Sequence, residues 1–176
     1  MGYAGGAKDN PTYHDLGNHS ETIQIDYDPT QITYEELLDV FWNNHNPASR
    51  WFSRQYAGSV FVHDEEQRKV AEETKAREAE ERGRAIHTEI ADYTRFWRAE
   101  DYHQKYRLRH VKDLWEAFNA MYPDFDDLVD STAAARVNGY AGGHGTLEQL
   151  EDEIGRLGLS AEEQETLREM VERRLR

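Results

Sequence analysis

The sequence of 176 residues is acidic, with 35 acidic against 21 basic side chains and a formal net charge of −14, and it contains no cysteine. This charge disfavours binding to nucleic acid, because the phosphate backbone would be repelled. The lack of cysteine excludes disulfides, thiolate metal sites and thiol catalysis by these residues. No apolar stretch is long enough to cross a bilayer, so we expect a cytoplasmic protein without membrane contact.

The first elements are a predicted strand and a predicted helix. Residues 22–28 alternate between apolar and polar side chains, which is typical of a half-buried strand. Thr33 and Glu36 form a capping box, the signal of a helix start. The helix that follows should present one apolar face and end before Pro47. The residues of this face are Leu37, Leu38, Phe41, Trp42 and His45.

A strand, a charged helix and a second strand are predicted next. The short apolar run 59–63 favours a buried strand, and residues 86–90 favour another. Between them, residues 64–84 predict a solvated helix, because acids repeatedly stand four positions before bases. The predicted pairs are Glu65–Lys69, Glu73–Arg77, Glu78–Arg82 and Glu80–Arg84.

From Val111 onward the pattern predicts helices alone. Apolar residues recur at helical spacing from Val111 to Tyr122, and capping boxes open two later helices at Thr146 and Ser160. We therefore predict a mixed α+β domain over residues 1–108 and a helical extension over residues 109–176.

The pentapeptide Gly-Tyr-Ala-Gly-Gly occurs twice, at residues 2–6 and 139–143. A true repeat would extend into the flanking residues, and these flanks differ. We interpret the two copies as unrelated glycine turns.

Several short segments, in their order along the chain, resemble the peptide methionine sulfoxide reductase A family. They are Gly2-Tyr3-Ala4-Gly5-Gly6, Asn10-Pro11-Thr12-Tyr13, His19-Ser20-Glu21, Tyr27-Asp28-Pro29, Leu37-Leu38 with Phe41-Trp42 and His45, and Glu100-Asp101-Tyr102-His103-Gln104-Lys105-Tyr106. The resemblance implies an α+β two-layer sandwich with a mixed sheet, incomplete here at its amino end, before the helical extension. It also implies reduction of the S epimer of methionine sulfoxide in proteins, with thioredoxin or another thiol as reductant and no bound cofactor.

The resemblance assigns three residues to the catalytic site. Glu21 takes the place of the carboxylic acid that hydrogen-bonds the sulfoxide oxygen and delivers a proton to it. Tyr13 and Tyr56 take the places of two tyrosines that bind the same oxygen. On the residues alone, Glu21 is a surface acid at the start of a strand, and Tyr13 is a tyrosine of a turn.

Two positions around the second tyrosine depart from the family pattern. Trp51 stands where many members have an aspartate, and Ala57 stands where an arginine usually follows the tyrosine. Arg50 and Arg54 are candidate substitutes for that arginine.

The Glu-x-x-His spacing at Glu100 and His103 occurs in iron sites of helical bundles, but such a site needs a second pair. We find no second pair and predict no metal site. The segment is predicted instead to open a helix, with acids near its amino end.

The family's Gly-Cys-Phe-Trp-Gly motif, which carries the nucleophilic cysteine, would precede Gly2, and three explanations for its absence stay open. We favour a start codon assigned inside a longer gene: Met1 stands where the family has valine, and GTG encodes valine internally but methionine at a start. The chain could instead be a module that binds oxidised methionine without reducing it, or an interaction protein that acts through residues 110–176. We expect the 176 residues alone to be inactive and to expose apolar sheet and helix surface.

Overall fold

The computed structural model describes residues 1–174, which form two compact units, Met1–Glu100 and a second that begins at Asp101. The first unit combines strands and helices, and the second is helical. This architecture confirms the predicted α+β class with a helical carboxy-terminal extension. Arg109, where the sequence predicts the domain boundary, lies within the second unit.

The strands of the first unit lie in two sheets. Their bounds are β1 Gly2–Ala4, β2 Ser20–Thr22, β3 Ser59–Val62, β4 Glu89–Asp92 and β5 Phe96–Arg98. β1 is the centre of an antiparallel sheet in the order β2-β1-β5, and β3 pairs with β4 in parallel. Within residues 1–174 each sheet thus has a single strand orientation, antiparallel in one and parallel in the other, where the sequence predicts a mixed sheet. In the first sheet Tyr3 lies opposite Glu21 on one side and Trp97 on the other.

The predicted strand at residues 22–28 is wrong, because only Ser20–Thr22 is a strand. The antiparallel register pairs Thr22 with Gly2, so residues 24–28 lie beyond the amino end of β1 and have no partner strand within residues 1–174. Alternation by itself cannot satisfy backbone hydrogen-bonding groups. The side chains of Ile23 and Ile25 are consequently exposed by 68% and 52%.

Two helices complete the first unit, and the sequence predicts both. Helix α1, Tyr34–Asn43, begins at the predicted capping box, and its apolar face buries Leu38 and Trp42. Helix α2, Glu65–Arg82, connects the parallel strands β3 and β4, as a crossover between parallel strands requires. The core of this region comprises Leu38, Trp42, Val60, Val62, Ala71 and Ile86.

Helix α2 is less solvated than its charge pattern predicts. One face is buried through the small side chains of Ala71 and Thr74. Of the four predicted ion pairs, only Glu78–Arg82 forms within residues 1–174. Arg77 instead forms ion pairs with the carboxylates of Glu35 and Asp39 on α1, at 2.6 Å each. These two pairs join helix α2 to helix α1.

The second unit is built from short helices around one core. Their bounds are α3 Tyr106–Arg109, α4 Lys112–Met121, α5 Phe125–Asp130, α6 Thr132–Gly142, α7 Leu147–Glu153 and α8 Ala161–Arg174. Leu114, Phe118, Leu150 and Leu167 are completely buried in this core. The predicted capping boxes at Thr146 and Ser160 both form. No helix within residues 1–174 is both long and apolar enough to cross a membrane.

The two copies of Gly-Tyr-Ala-Gly-Gly differ in conformation, and the predicted glycine turns occur only near their ends, at the left-handed Gly5 and Gly143. Residues Gly2–Ala4 of the first copy form strand β1, which pairs on both sides. The second copy continues helix α6 up to Gly142. That helix starts with the Ser131 hydroxyl accepting a hydrogen bond from the amide of Ala134, and it ends at Gly143 with a left-handed φ of +90°.

Candidate functional site

Tyr13 lies in the connection between β1 and β2, and a small turn fixes the backbone around it. Asn10 adopts a left-handed φ of +51°, and the following Pro11 is buried. Thr12 and Asp15 then close the turn with two backbone hydrogen bonds of 3.3 and 3.0 Å. Tyr13 therefore stands within an ordered turn and is only partly exposed.

Glu100 ties this turn to the central strand. One carboxylate oxygen accepts the backbone amide of Tyr13 at 3.0 Å, and the other accepts the phenol of Tyr3 at 2.7 Å. Tyr3 itself is completely buried in β1. The sequence predicts only a helix start at Glu100, so this anchoring role is a residue function that the sequence reasoning missed.

Glu21 lies on strand β2, directly opposite Tyr3, and is partly buried. The side-chain amide of Gln55 donates a hydrogen bond of 2.6 Å to one Glu21 oxygen. Gln55 belongs to the short 3-10 turn Arg54–Tyr56. The Ser20 hydroxyl donates to the carbonyl of Arg54 at 2.7 Å and so joins this turn to β2.

Tyr56 is 51% exposed, and its surroundings hold the pKa of its phenol above the ordinary value. The phenol of Tyr13 is the largest cause, followed by burial and the negative charge of Glu21, with a hydrogen bond between the two phenols as a further contribution. The structure therefore brings the three predicted residues together. Tyr13 and Glu21 are thus close enough to the phenol of Tyr56 to raise its pKa.

The departures around Tyr56 give this region an aromatic side. Arg54 forms an ion pair with Glu89 on β4, with its guanidinium 5.9 Å from the centre of the Trp51 ring. Its charge is therefore paired with that of Glu89. Phe52 is 88% exposed, and its ring centre lies 5.6 Å from that of Tyr56.

An apolar cavity of about 570 Å³ adjoins Glu21 in the first unit. Side chains from β2, α1 and β3 line it, together with Ile23 and Ile25 of the unpaired segment. This surface agrees with the expected exposure of apolar sheet and helix. Glu21 consequently stands at the edge of an apolar region, where a carboxyl group is partly shielded from water.

Within residues 1–174, no three His, Asp or Glu side chains are grouped so that they could hold a metal ion.

The sequence matches a family pattern over most of its length: the chain belongs to the peptide methionine sulfoxide reductases, whose pattern covers residues 1–136. Residues 124–172 match a second pattern, described as the helical domain of selenoprotein methionine sulfoxide reductase A. The helical extension is thus also related to this group of enzymes.

Individual relatives carry the same description. The chain is 47% identical over 162 residues to a peptide methionine sulfoxide reductase of Drosophila melanogaster, covering 91% of this chain and 65% of the relative. It is 37% identical over 146 residues to peptide methionine sulfoxide reductase A5 of Arabidopsis thaliana, covering 80% and 57%. A third relative, MsrA of Haloquadratum walsbyi, is 41% identical over 123 residues, covering 65% and 71%. The chain thus spans less than two thirds of the length of the first two.

Proposed function

We propose that this chain recognises methionine sulfoxide in oxidised proteins and peptides, and that it forms the oxygen-binding part of a peptide-methionine (S)-S-oxide reductase. The observation that carries the proposal is the meeting of Tyr13, Tyr56 and Glu21 on one partly exposed surface beside an apolar cavity. Membership of the reductase family supports it.

The chemistry of these groups suits a sulfoxide. Its S–O bond is strongly polar, and the oxygen accepts hydrogen bonds without carrying a net charge. Phenols are neutral donors at physiological pH, and the raised pKa of Tyr56 keeps its proton in place well into the alkaline range. Because the ligand is neutral, the net charge of −14 does not repel it.

The side of the site away from the oxygen suits the rest of the substrate. The methyl and methylene groups next to sulfur are apolar and gain from contact with an aromatic ring. Phe52, whose ring centre lies 5.6 Å from that of Tyr56, and the nearby residue Trp51 are both exposed and offer such a surface. We assign them contact with the thioether side of the substrate.

The proton for reduction would come from Glu21 in its acid form. Reduction to the thioether takes two electrons and two protons, and the oxygen leaves as water. Two thiols supply the electrons and become one disulfide. Glu21 would protonate the oxygen and so make sulfur more electrophilic, while the phenols of Tyr13 and Tyr56 would stabilise charge that develops on oxygen.

The attacking thiol must lie outside these 176 residues, because they contain no cysteine. We propose thioredoxin or another thiol as the final reductant, and a cytoplasmic location stays a prediction. The absence of cysteine also favours a second candidate function for these residues alone, which is binding of methionine sulfoxide without turnover.

A binding experiment tests the proposal. A peptide with one (S)-methionine sulfoxide and the same peptide with methionine are titrated calorimetrically into the purified chain. We expect binding of the sulfoxide only. Glu21→Ala should abolish it, and Tyr56→Phe should weaken it by about 2- to 12-fold, the effect of one neutral hydrogen bond. Equal affinity for both peptides, or no binding at millimolar concentration, would refute the proposal.

Two matched variants control for general effects. Tyr106 is 51% exposed, the same fraction as Tyr56, so Tyr106→Phe removes an equally accessible hydroxyl far along the chain. Glu80 is exposed on α2, so Glu80→Ala removes a carboxylate from the same unit as Glu21. Both should leave the affinity unchanged. A similar loss in these controls would contradict a localised site.

A further inference from the structure

Both ring nitrogens of His19 form hydrogen bonds to the backbone, although we assign this residue no contact with the substrate. It is 2% exposed and stands two positions before Glu21. Its Nδ1 accepts a hydrogen bond from the amide of Gly6 at 3.1 Å. Its Nε2 lies 2.8 Å from the carbonyl oxygen of Lys8.

These two partners select one form of the imidazole. A backbone amide can only donate, so Nδ1 must carry no proton, and a carbonyl can only accept, so Nε2 must carry one. The ring is therefore neutral, with its proton on Nε2. Nearby charges are already engaged with each other, since the ammonium group of Lys8 forms an ion pair with Asp15.

The ring also fits closely against the backbone that it binds. A Cβ atom added at Gly6 would lie 2.6 Å from the His19 ring, so only glycine allows this approach. Beside it, the amide of Ala7 donates to the side-chain oxygen of Asn18 at 2.8 Å. Residues 6–8 and 18–19 are thus fastened to each other.

These contacts close the base of the segment that carries Tyr13. We call residues 8–18 the Tyr13 loop. The ring of His19, the residue just after this loop, bonds to the backbone of Lys8, the first residue of the loop. The strand that carries Glu21 begins at the next residue, Ser20.

We propose that His19 is a positioning residue for sulfoxide recognition: by closing the base of the Tyr13 loop, it holds Tyr13 in register with Glu21 and Tyr56. This inference rests on the proposed function of those three residues. His19 is 2% exposed, and we assign it no contact with the oxygen or the sulfur of the substrate.

The test compares His19→Phe with His87→Phe. The first keeps a buried ring but loses both hydrogen bonds, and the second replaces a partly buried histidine of the same unit that does not line the cavity beside Glu21. We expect His19→Phe to weaken sulfoxide binding about tenfold, the cost of buried polar groups left unpaired. His87→Phe should change nothing.

A second readout does not depend on the ligand. The pKa of Tyr56, followed by NMR with ¹³C-labelled tyrosine, is raised above its ordinary value mainly by the phenol of Tyr13. Displacement of the loop should bring it back toward the ordinary value. His19→Asn, which keeps an acceptor for the amide of Gly6, should give intermediate values in both readouts.

The outcomes are distinct. A folded His19→Phe with unchanged affinity and unchanged pKa of Tyr56 overturns the inference. If that variant does not fold, His19→Asn decides. A lower affinity for the sulfoxide peptide together with a lower pKa of Tyr56 supports the positioning role. An affinity and a pKa equal to those of the unmodified chain overturn it. If the unmodified chain binds no sulfoxide but the pKa of Tyr56 still responds to His19→Phe, the proposed function fails and the positioning role stands.

Discussion

The hydrogen bond between Tyr3 and Glu100 offers a direct test of how the site is anchored. Tyr3 is completely buried, and its phenol donates to Glu100 at 2.7 Å. In Tyr3→Phe the carboxylate keeps its bond to the amide of Tyr13, which measures 3.0 Å, but loses its bond to the phenol on β1. A hydrogen bond to a charged group contributes about 1.5–3 kcal/mol. Because Glu100 is partly exposed, we expect a loss of about 2 kcal/mol in the free energy of unfolding.

The assay is urea denaturation of the whole chain, followed by circular dichroism and by fluorescence, with thermal melting as a second measure. A loss of about 2 kcal/mol should lower the Tm of a unit of this size by about 10 °C. Tyr93→Phe is the control, because the Tyr93 hydroxyl makes no hydrogen bond within residues 1–174 while its ring stacks on His63. If the stability of Tyr3→Phe lies within about 0.5 kcal/mol of that of Tyr93→Phe, a difference typical of a surface change, the anchoring role of Glu100 is refuted.

Three further predictions concern single side chains. Tyr13→Phe should lower the pKa of Tyr56 toward its ordinary value, measured by ¹³C NMR, and an unchanged pKa would show that the phenols do not interact. Phe118→Ala should destabilise the helical unit by about 3–5 kcal/mol in urea denaturation, because Phe118 is completely buried; a loss below about 1 kcal/mol would contradict this packing. Burial, as the main cause, raises the pKa of Tyr34 and of Tyr140 to about 12, so an ultraviolet titration should show both phenols ionising last. These folded-state pKa values exceed the ordinary 10, so the stability that the two neutral phenols provide is present below pH 10 and is lost as the pH rises through 12. Tyr140→Phe should reduce this loss of stability at alkaline pH. A loss of the same size in the variant would contradict the assignment.

The elements that the sequence predicts correctly have local causes. The capping box at Thr33 and the apolar face that follows it lie within one short segment, and the structure forms this helix as predicted. The strand predicted at residues 22–28 has the right local pattern but needs a neighbour, and the register of β1 ends at the pair of Gly2 with Thr22. Whether a strand forms depends on a partner that no window of sequence contains.

For the site as well, some features follow from the sequence and others only from the fold. The resemblance to the reductase family points to Glu21, Tyr13 and Tyr56, but not to what holds them. Gln55 reaches Glu21 across 34 residues of sequence, and Glu100 reaches the amide of Tyr13 across 87. Such contacts arise only after the chain has folded, so no spacing in the sequence indicates them.

The twice-used pentapeptide is a chameleon sequence, and its two tyrosines show what identical residues do carry from one place to another. Tyr3 in the strand and Tyr140 in the helix are both buried, and each phenol donates to a glutamate, Glu100 at 2.7 Å and Glu153 at 2.6 Å. The same pentapeptide thus contributes to a strand in one place and to a helix in the other. In both places its buried tyrosine hydroxyl has a hydrogen-bond acceptor. In this chain the shared pentapeptide therefore specifies the side-chain environment of its tyrosine and not its secondary structure.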